Sequence, residues 1–331
     1  MFRFIVRRVV IMIPTLILIS MVVFAIIQLP PGDFLTTYAA ELASTGTSVD
    51  ATMLENLREQ YGLGQPIYVQ YWKWVRNILT RGDFGRSFEW QKPVTEVIWG
   101  RLGLTVIVAS ASVLLTWVIG LPIGIISAAK QYSVADYAAT FLGFLGLAVP
   151  EFLLALVLMV GAFLLFNQSV VGLFSPEFVE APWSLARVLD LLKHIWIPMV
   201  IVGLRNTAVL VRVVRANLLD ELRKPYVITA RAKGLSEPKV LLRYPIRTAL
   251  IPSVGTAGWN LPDIISGTMI VAVVLGLPTT GPLLLRSLTS QDMFLAGAFI
   301  LLISVLTVIG TLISDILLAW LDPRIRLQYY G

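Results

Sequence analysis

The chain has 331 residues, of which 57% are hydrophobic and 14% are charged; because soluble domains carry about 25% charge, this composition indicates an integral membrane protein. It has no cysteine and a single histidine, His194, which excludes disulfides, thiolate chemistry and clustered imidazole metal sites. The net charge of +6 lies on segments that flank apolar runs, a distribution that sets membrane orientation and does not indicate a nucleic-acid partner.

Six apolar segments are each long enough to cross a membrane, which takes about 20 residues. The predicted spans are residues 9–28, 102–129, 137–166, 195–214, 249–277 and 293–320. A cleaved signal peptide is the alternative for the first segment, but its apolar run is long and lacks a small-residue cleavage site. Four prolines are expected to interrupt the later helices: Pro150, Pro198, Pro252 and Pro262.

The order of apolar and polar stretches predicts the domain organisation. Residues 1–28 are the cytoplasmic N-terminal end and first transmembrane helix, and 29–95 are a polar extracytoplasmic insert. Residues 96–320 form a transmembrane domain of five helices, and 321–331 are a cytoplasmic tail. Predicted cytoplasmic segments hold 14 Lys and Arg residues, against 3 in the two short outer loops, which places both termini in the cytoplasm.

The loop of residues 220–248 carries the longest basic stretch of the chain. Pro225 suits the first turn of a short helix, and Gly234 suits the left-handed position that ends one. Tyr226, Ala230 and Gly234 recur at helical spacing and are expected to share a small face that another protein can approach closely. The alternative is a solvated loop whose charge only sets orientation.

Polar residues within the predicted spans are candidates for a translocation path, since such residues usually face protein or water. They are Glu151, Arg205, Asn206, Trp259, Asn260 and Asp263. The alternative is a structural role, with Arg205 paired to Glu151 or Asp263. We find no catalytic constellation, and no G-x-x-x-x-G-K-[ST] motif that would hold ATP phosphates, so the sequence does not predict an enzyme.

The segment Tyr226-Val-Ile-Thr-Ala-Arg-Ala-Lys-Gly-Leu235 resembles the coupling loop of ABC-importer permeases, in the form found in the oligopeptide/dipeptide permease family. Further matches in the same order are Pro31-Gly-Asp33, Gly82-Asp-Phe-Gly-Arg-Ser87 and Asp322-Pro-Arg-Ile-Arg326. One departure is Ile228, where the general signature of these importers has glutamate. The resemblance extends over nearly the whole chain.

The resemblance implies an all-α integral membrane protein with six transmembrane helices, a type I ABC-importer permease fold with an extracytoplasmic insert after the first helix. It implies contact with ATPase subunits through Tyr226, Val227, Thr229, Ala230, Arg231, Ala232, Lys233, Gly234 and Leu235. Expected partners are a second homologous permease, two cytoplasmic ABC ATPase subunits or domains, an extracytoplasmic substrate-binding protein and membrane lipids. The ATPase subunits would hold ATP–Mg, and this chain would bind no cofactor. The resemblance places the chain in the cytoplasmic (inner) membrane of a prokaryote.

The resemblance implies import of short peptides, while the same machinery also serves oligosaccharides, nickel complexes, opines and glutathione. A secondary transporter is the main alternative from another class, but we find no convincing repeat within the six spans. A channel would need rings of charged or carbonyl groups, and a membrane enzyme would need a nucleophile or metal site. The sequence offers neither.

Overall fold

The computed structural model describes residues 2–28, 65–87, 89–166, 171–257, 261–290 and 292–321. Over these residues the chain is mainly helical, with one isolated bridge between Arg86 and Pro93. The helices are α1 (Phe2–Gln28), α2 (Ile67–Arg81), α3 (Val94–Ala129), α4 (Val134–Ala148), α5 (Glu151–Phe166), α6 (Leu185–Leu222), α7 (Pro225–Ala232), α8 (Glu237–Arg243), α9 (Pro245–Ala249), α10 (Ile251–Ala257), α11 (Leu261–Val274), α12 (Thr280–Thr289) and α13 (Met293–Leu321). A short 3-10 helix, Pro176–Phe178, precedes α6.

Four helices in the described part of the chain are long and apolar enough to cross a membrane: α1 from Ile5 onward, α3, α6 and α13. The bent pair α4 and α5 makes a fifth if the two count as one span. The fifth predicted span, 249–277, contains α10 and α11, but residues 258–260 between them lie outside the described residues. The structure is therefore that of a helical membrane protein, and the count of six spans stays a prediction.

The third predicted span is interrupted at Pro150, as expected. Helix α4 ends at Ala148, α5 begins at Glu151, and the two meet at 101°. Val149 adopts an extended conformation, since a residue before proline disfavours the helical region.

The expected interruption at Pro198 is wrong, because α6 continues through this residue from Leu185 to Leu222. Pro198 is buried among neighbouring helices, and such packing can hold a transmembrane helix together despite the missing N–H.

The chain forms two compact units. The first comprises Met1–Val10, Leu104–Pro282 and Leu306–Gly331. Its largest buried cluster joins α3, α5, α6 and α11 and includes Val108, Ala155, Ile197, Ile201, Val271 and Leu275. Apolar side chains fill this core because each of these helices presents at least one apolar stripe to its neighbours.

The second unit comprises Ile11–Gly103 and Leu283–Val305. In it α2 packs on α1, with the ring of Phe24 lying 5.6 Å from that of Tyr71 and 5.5 Å from that of Trp74. The hydroxyls of Tyr71 and Ser20 are hydrogen bonded at 2.7 Å. The described part of the predicted insert is thus anchored to the first helix by aromatic packing and a side-chain hydrogen bond.

The Gly82–Ser87 block joins α2 to the start of α13 within the second unit. Gly85 has φ +104, and a Cβ there would lie 2.7 Å from a ring carbon of Phe294, so the backbone approaches this ring closely. The carboxylate of Asp292, which is fully buried, accepts hydrogen bonds from Ser87 Oγ at 2.5 Å and from the backbone N–H of Leu295 at 3.2 Å. Asp292 therefore caps α13 and fixes the block to it.

Candidate functional site

Helices α7 and α8 form a hairpin, Pro225–Arg243, in the basic loop that the sequence singled out. Pro225 opens α7, and Gly234 follows it with φ +76, which confirms the predicted limits of this helix. The backbone N–H of Leu235 donates to the carbonyl of Ala230 at 3.4 Å, which closes the helix end. Arg231 forms a bidentate salt bridge with Glu237, in which Nε and Nη2 donate to the two carboxylate oxygens at 2.8 and 3.2 Å. This salt bridge holds the start of α8 against α7.

The expectation that Ala230 lies on an open face is wrong. Its side chain is 5% exposed and packs with Val227 and Val240, both fully buried, between α7 and α8. Leu222, at the end of α6, also packs against this cluster. Burial of apolar side chains lowers the free energy of the folded chain. Val227 and Ala230 therefore form the core of the hairpin itself.

The outward face of α7 and of the turn after it is formed by other predicted contact residues together with Ile228, which was not predicted as a contact. The exposed residues are Tyr226, Ile228, Thr229, Arg231, Ala232, Lys233 and Gly234, with Leu235 half-buried at the turn. Ile228, 58% exposed, is a large apolar side chain in the middle of this basic surface. An apolar side chain with polar and charged residues around it matches the apolar core and polar rim of protein interfaces.

Tyr226 links the hairpin to α6. Its hydroxyl donates a hydrogen bond to the carboxylate of Glu221, one residue before the end of α6. Partial burial raises the pKa of Tyr226 to about 12, and the hydrogen bond to Glu221 acts in the same direction. The phenol is therefore a neutral donor at physiological pH.

The structure brings two of the six translocation-path candidates together. Arg205 Nη1 lies 4.0 Å from Glu151 Oε1, and the Arg205 side chain is 65% exposed. The amide of Asn206 donates to the carbonyl of Val202 in its own helix at 3.0 Å. Trp259, Asn260 and the side chain of Asp263 lie outside the described residues, so a contact between Asp263 and Arg205 stays a prediction.

A cavity of about 710 Å³ lies between α3, α6, α10 and α13. Its lining is mostly apolar, with a few polar side chains that include Asn206, Ser110 and Thr116. No sequence pattern indicated this cavity, because its walls come from four helices that are separated along the chain.

Two ion pairs were not anticipated from the sequence. Arg215 binds the buried carboxylate of Asp136 through Nε and Nη2, at 2.7 and 2.8 Å. Arg8 Nη1 lies 3.2 Å from Asp315 Oδ2. A partial signal was present for Asp136, which follows the helix-capping Ser133 by three residues and so lies in the first turn of α4.

Long apolar helices, a bent helix pair and a basic hairpin between α6 and α9 define a polytopic helical membrane protein. Comparison with known families makes this specific: the chain belongs to the binding-protein-dependent transport system inner membrane components, whose pattern matches residues 120–327. The pattern of the corresponding N-terminal family of membrane components matches residues 1–109. The resemblance drawn from the sequence is confirmed, and the chain is a transport-system subunit of the membrane and not an enzyme.

Curated relatives match over nearly the whole chain. The oligopeptide transport system permease protein AppB of Bacillus subtilis (strain 168) is 36% identical over 327 residues, which are 98% of this chain and 100% of the relative. The glutathione transport system permease protein GsiC of Escherichia coli (strain K12) is 32% identical over 326 residues, 98% of this chain and 99% of the relative. The GsiC protein of Salmonella paratyphi A is 31% identical over the same shares. These relatives favour the importer over a secondary transporter, a channel or an enzyme.

Proposed function

We propose that this chain is the transmembrane permease subunit of an ATP-driven, binding-protein-dependent ABC importer and forms half of the translocation pathway for short peptides. The observation that carries the proposal is end-to-end similarity to a permease named for oligopeptide transport. Relatives named for glutathione transport point to the same cargo class, because glutathione is itself a small peptide. Oligosaccharides, opines and nickel complexes have no support among these relatives.

The proposed assembly contains a second homologous permease, two cytoplasmic ABC ATPase subunits or domains that hold ATP–Mg, and an extracytoplasmic substrate-binding protein. It lies in the inner membrane of a prokaryote, with six spans and both termini in the cytoplasm. The excess of Lys and Arg on the predicted cytoplasmic segments supports this orientation. The insert 29–95 then faces outward, the domain 96–320 spans the membrane, and the loop 220–248 faces the ATPase subunits.

The outward face of α7 is the proposed contact with an ATPase subunit. Ile228 supplies an apolar anchor, and Arg231 and Lys233 supply charges at its edge. Val227 and Ala230 act indirectly, since they are buried and keep α7 fixed on α8. Gly234 and Leu235 shape the turn that follows.

The proposed path for the peptide runs beside Glu151, Arg205 and Asn206, with Trp259, Asn260 and Asp263 as further candidates. The exposed guanidinium of Arg205 can bind the terminal carboxylate of a peptide. The nearest carboxylate of this chain, that of Glu151, lies 4.0 Å away and leaves most of the guanidinium exposed. The cavity next to Asn206 offers apolar walls to its side chains. A second permease would complete the enclosure.

Uptake by the complete complex tests the proposal. Proteoliposomes containing the complex and its binding protein are expected to accumulate radiolabelled trialanine only when ATP is present on the side of the membrane that carries the ATPase subunits. Accumulation should stop when the ATPase subunits carry a disabled ATP site, and it should persist when the proton gradient is collapsed. Uptake that follows the proton gradient and ignores the ATPase variant would show a secondary transporter instead.

A further inference from the structure

Two ion pairs connect α6 to the start of α4 and, beyond the bend that follows α4, to the start of α5. Arg215 forms a bidentate salt bridge with Asp136, the third residue of α4, through Nε and Nη2. Ten residues earlier on α6, Arg205 lies 4.0 Å from Glu151, just beyond the bend that ends α4. Ten residues of helix correspond to about 15 Å, so the two pairs are well separated along the axis of α6.

The Asp136 carboxylate is the more strongly held of the two. It is 3% exposed and, besides Arg215, accepts hydrogen bonds from the Ser127 hydroxyl and from the backbone N–H of Tyr132 at 2.9 Å. These contacts fasten the end of α3, the turn after it and the start of α4 to one guanidinium on α6. A buried charge with this many donors is costly to remove, because its partners are left without an acceptor.

Next to the Arg205–Glu151 pair, α4 and α6 touch closely. A Cβ built at Gly146 of α4 would lie 3.2 Å from Leu204 Cγ and 3.7 Å from Ala208 Cβ, both on α6. Densely packed contacts of this kind leave little room for one helix to slide on the other. Helix α4 and the second half of α6 therefore have the contacts of a single rigid body.

The same half of α6 leads directly into the α7–α8 hairpin. Leu222 packs on the hairpin core, and Glu221 accepts the Tyr226 hydrogen bond. Arg215 is seven residues before Leu222, which is about two helical turns. A displacement of the hairpin thus reaches Arg215 through an unbroken helix.

We propose that Asp136 and Arg215 are positioning residues that carry movement of the α7–α8 hairpin to α4, and so to the bend at Pro150. The inference rests on the proposed function, because it assigns these residues a part in coupling ATP hydrolysis to transport. In this account α4 moves with α6 as one body when the hairpin is pushed. Losing the pair frees α4, and hydrolysis continues without productive transport.

Conservative variants test the pair. Asp136→Asn keeps the side-chain shape and removes the charge. Arg215→Lys keeps the charge and removes the bidentate hydrogen bonding of the guanidinium. Each is expected to lower trialanine uptake per ATP hydrolysed by about tenfold, in complexes that still assemble. The matched control is Asp190→Asn: this buried carboxylate is also on α6 and accepts two hydrogen bonds from Ser175, but it lies at the other end of the helix. The control should leave the ratio unchanged.

A cross-link provides the second, independent test. The natural chain has no cysteine, and the 3.7 Å separation at positions 146 and 208 matches the Cβ–Cβ distance of a disulfide. Gly146→Cys combined with Ala208→Cys, once oxidised, should retain uptake, because the two helices already move together. Added to Asp136→Asn, oxidation of the pair should restore most of the lost uptake, and reduction should abolish the rescue.

Each result bears on the inference separately from the proposed function. If the unaltered complex does not couple ATP hydrolysis to trialanine uptake, the proposed function fails. If it does, but Asp136→Asn and Arg215→Lys keep the normal ratio, the inference is overturned. It is also overturned if oxidation of the cysteine pair stops uptake, since α4 must then slide on α6.

Discussion

Asp292→Ala is expected to lower the free energy of unfolding of the second unit by about 3 kcal/mol, the largest stability effect we predict. The substitution removes a buried carboxylate that accepts hydrogen bonds from Ser87 at 2.5 Å, Leu295 at 3.2 Å and the backbone of Glu89 at 3.3 Å. Their donors are left without this acceptor, and α13 loses its cap. In purified protein the midpoint of thermal aggregation should fall by roughly 5 °C or more.

The control for this variant is Arg286→Ala. Arg286 lies in the same unit and contacts Glu89 at 2.5 Å, but its side chain is 62% exposed. Exposed ion pairs contribute about 0–1 kcal/mol, so this variant should unfold close to the natural protein. Equal midpoints for Asp292→Ala and the natural chain would show that the Ser87–Asp292 contact does not hold the block to α13.

Gly234→Val is expected to uncouple the ATPase subunits while leaving membrane insertion intact. Gly234 has φ +76, and a residue with a Cβ in this region pays about 1–2 kcal/mol, more when β-branched. No atom lies within 4 Å of a Cβ built there, so the effect comes from the backbone and not from crowding. Gly234→Asn is the control, because asparagine tolerates the left-handed region.

Ala230→Trp should have the same outcome for a different reason. Ala230 is enclosed between Val227 and Val240, and overpacking such a site costs about 1–3 kcal/mol. Co-purification of ATPase subunits and peptide-stimulated ATP hydrolysis should both fall, whereas Ala230→Ser should behave normally. Normal coupling in Ala230→Trp and Gly234→Val would mean that the shape of the hairpin does not matter to the ATPase.

The sequence predicted features that depend on local chemistry. Pro225 and Gly234 set the ends of α7 because proline suits a first turn and glycine a left-handed stop. Pro150 marked the bend in the same way. The predicted interruption at Pro198 was wrong, since the effect of a proline inside a helix depends on the helices packed around it.

Features made by distant residues could not be predicted. Helical spacing put Tyr226 and Ala230 on related faces, but it does not say which face α8 covers. Asp136 and Arg215 are 79 residues apart, and Ser87 and Asp292 are 205 apart. Only the packing of the helices brings each pair together, and a single sequence carries no record of that packing.

The claim that the outward face of α7 contacts an ATPase subunit has a direct measurement. A cysteine introduced at Ile228, 58% exposed in the isolated chain, can be labelled with an impermeant maleimide in inverted membrane vesicles. Leu79→Cys, at an 80% exposed position in the described part of the predicted outer insert, is the control. We expect position 228 to react from the cytoplasmic side and the ATPase subunits to slow its labelling by about tenfold, as burial in an interface implies. Position 79 should react only from the outside, with or without the ATPase. Equal labelling of position 228 in the presence and absence of the ATPase subunits would contradict the account and would mean that α7 is only a solvated helix in a positively charged loop.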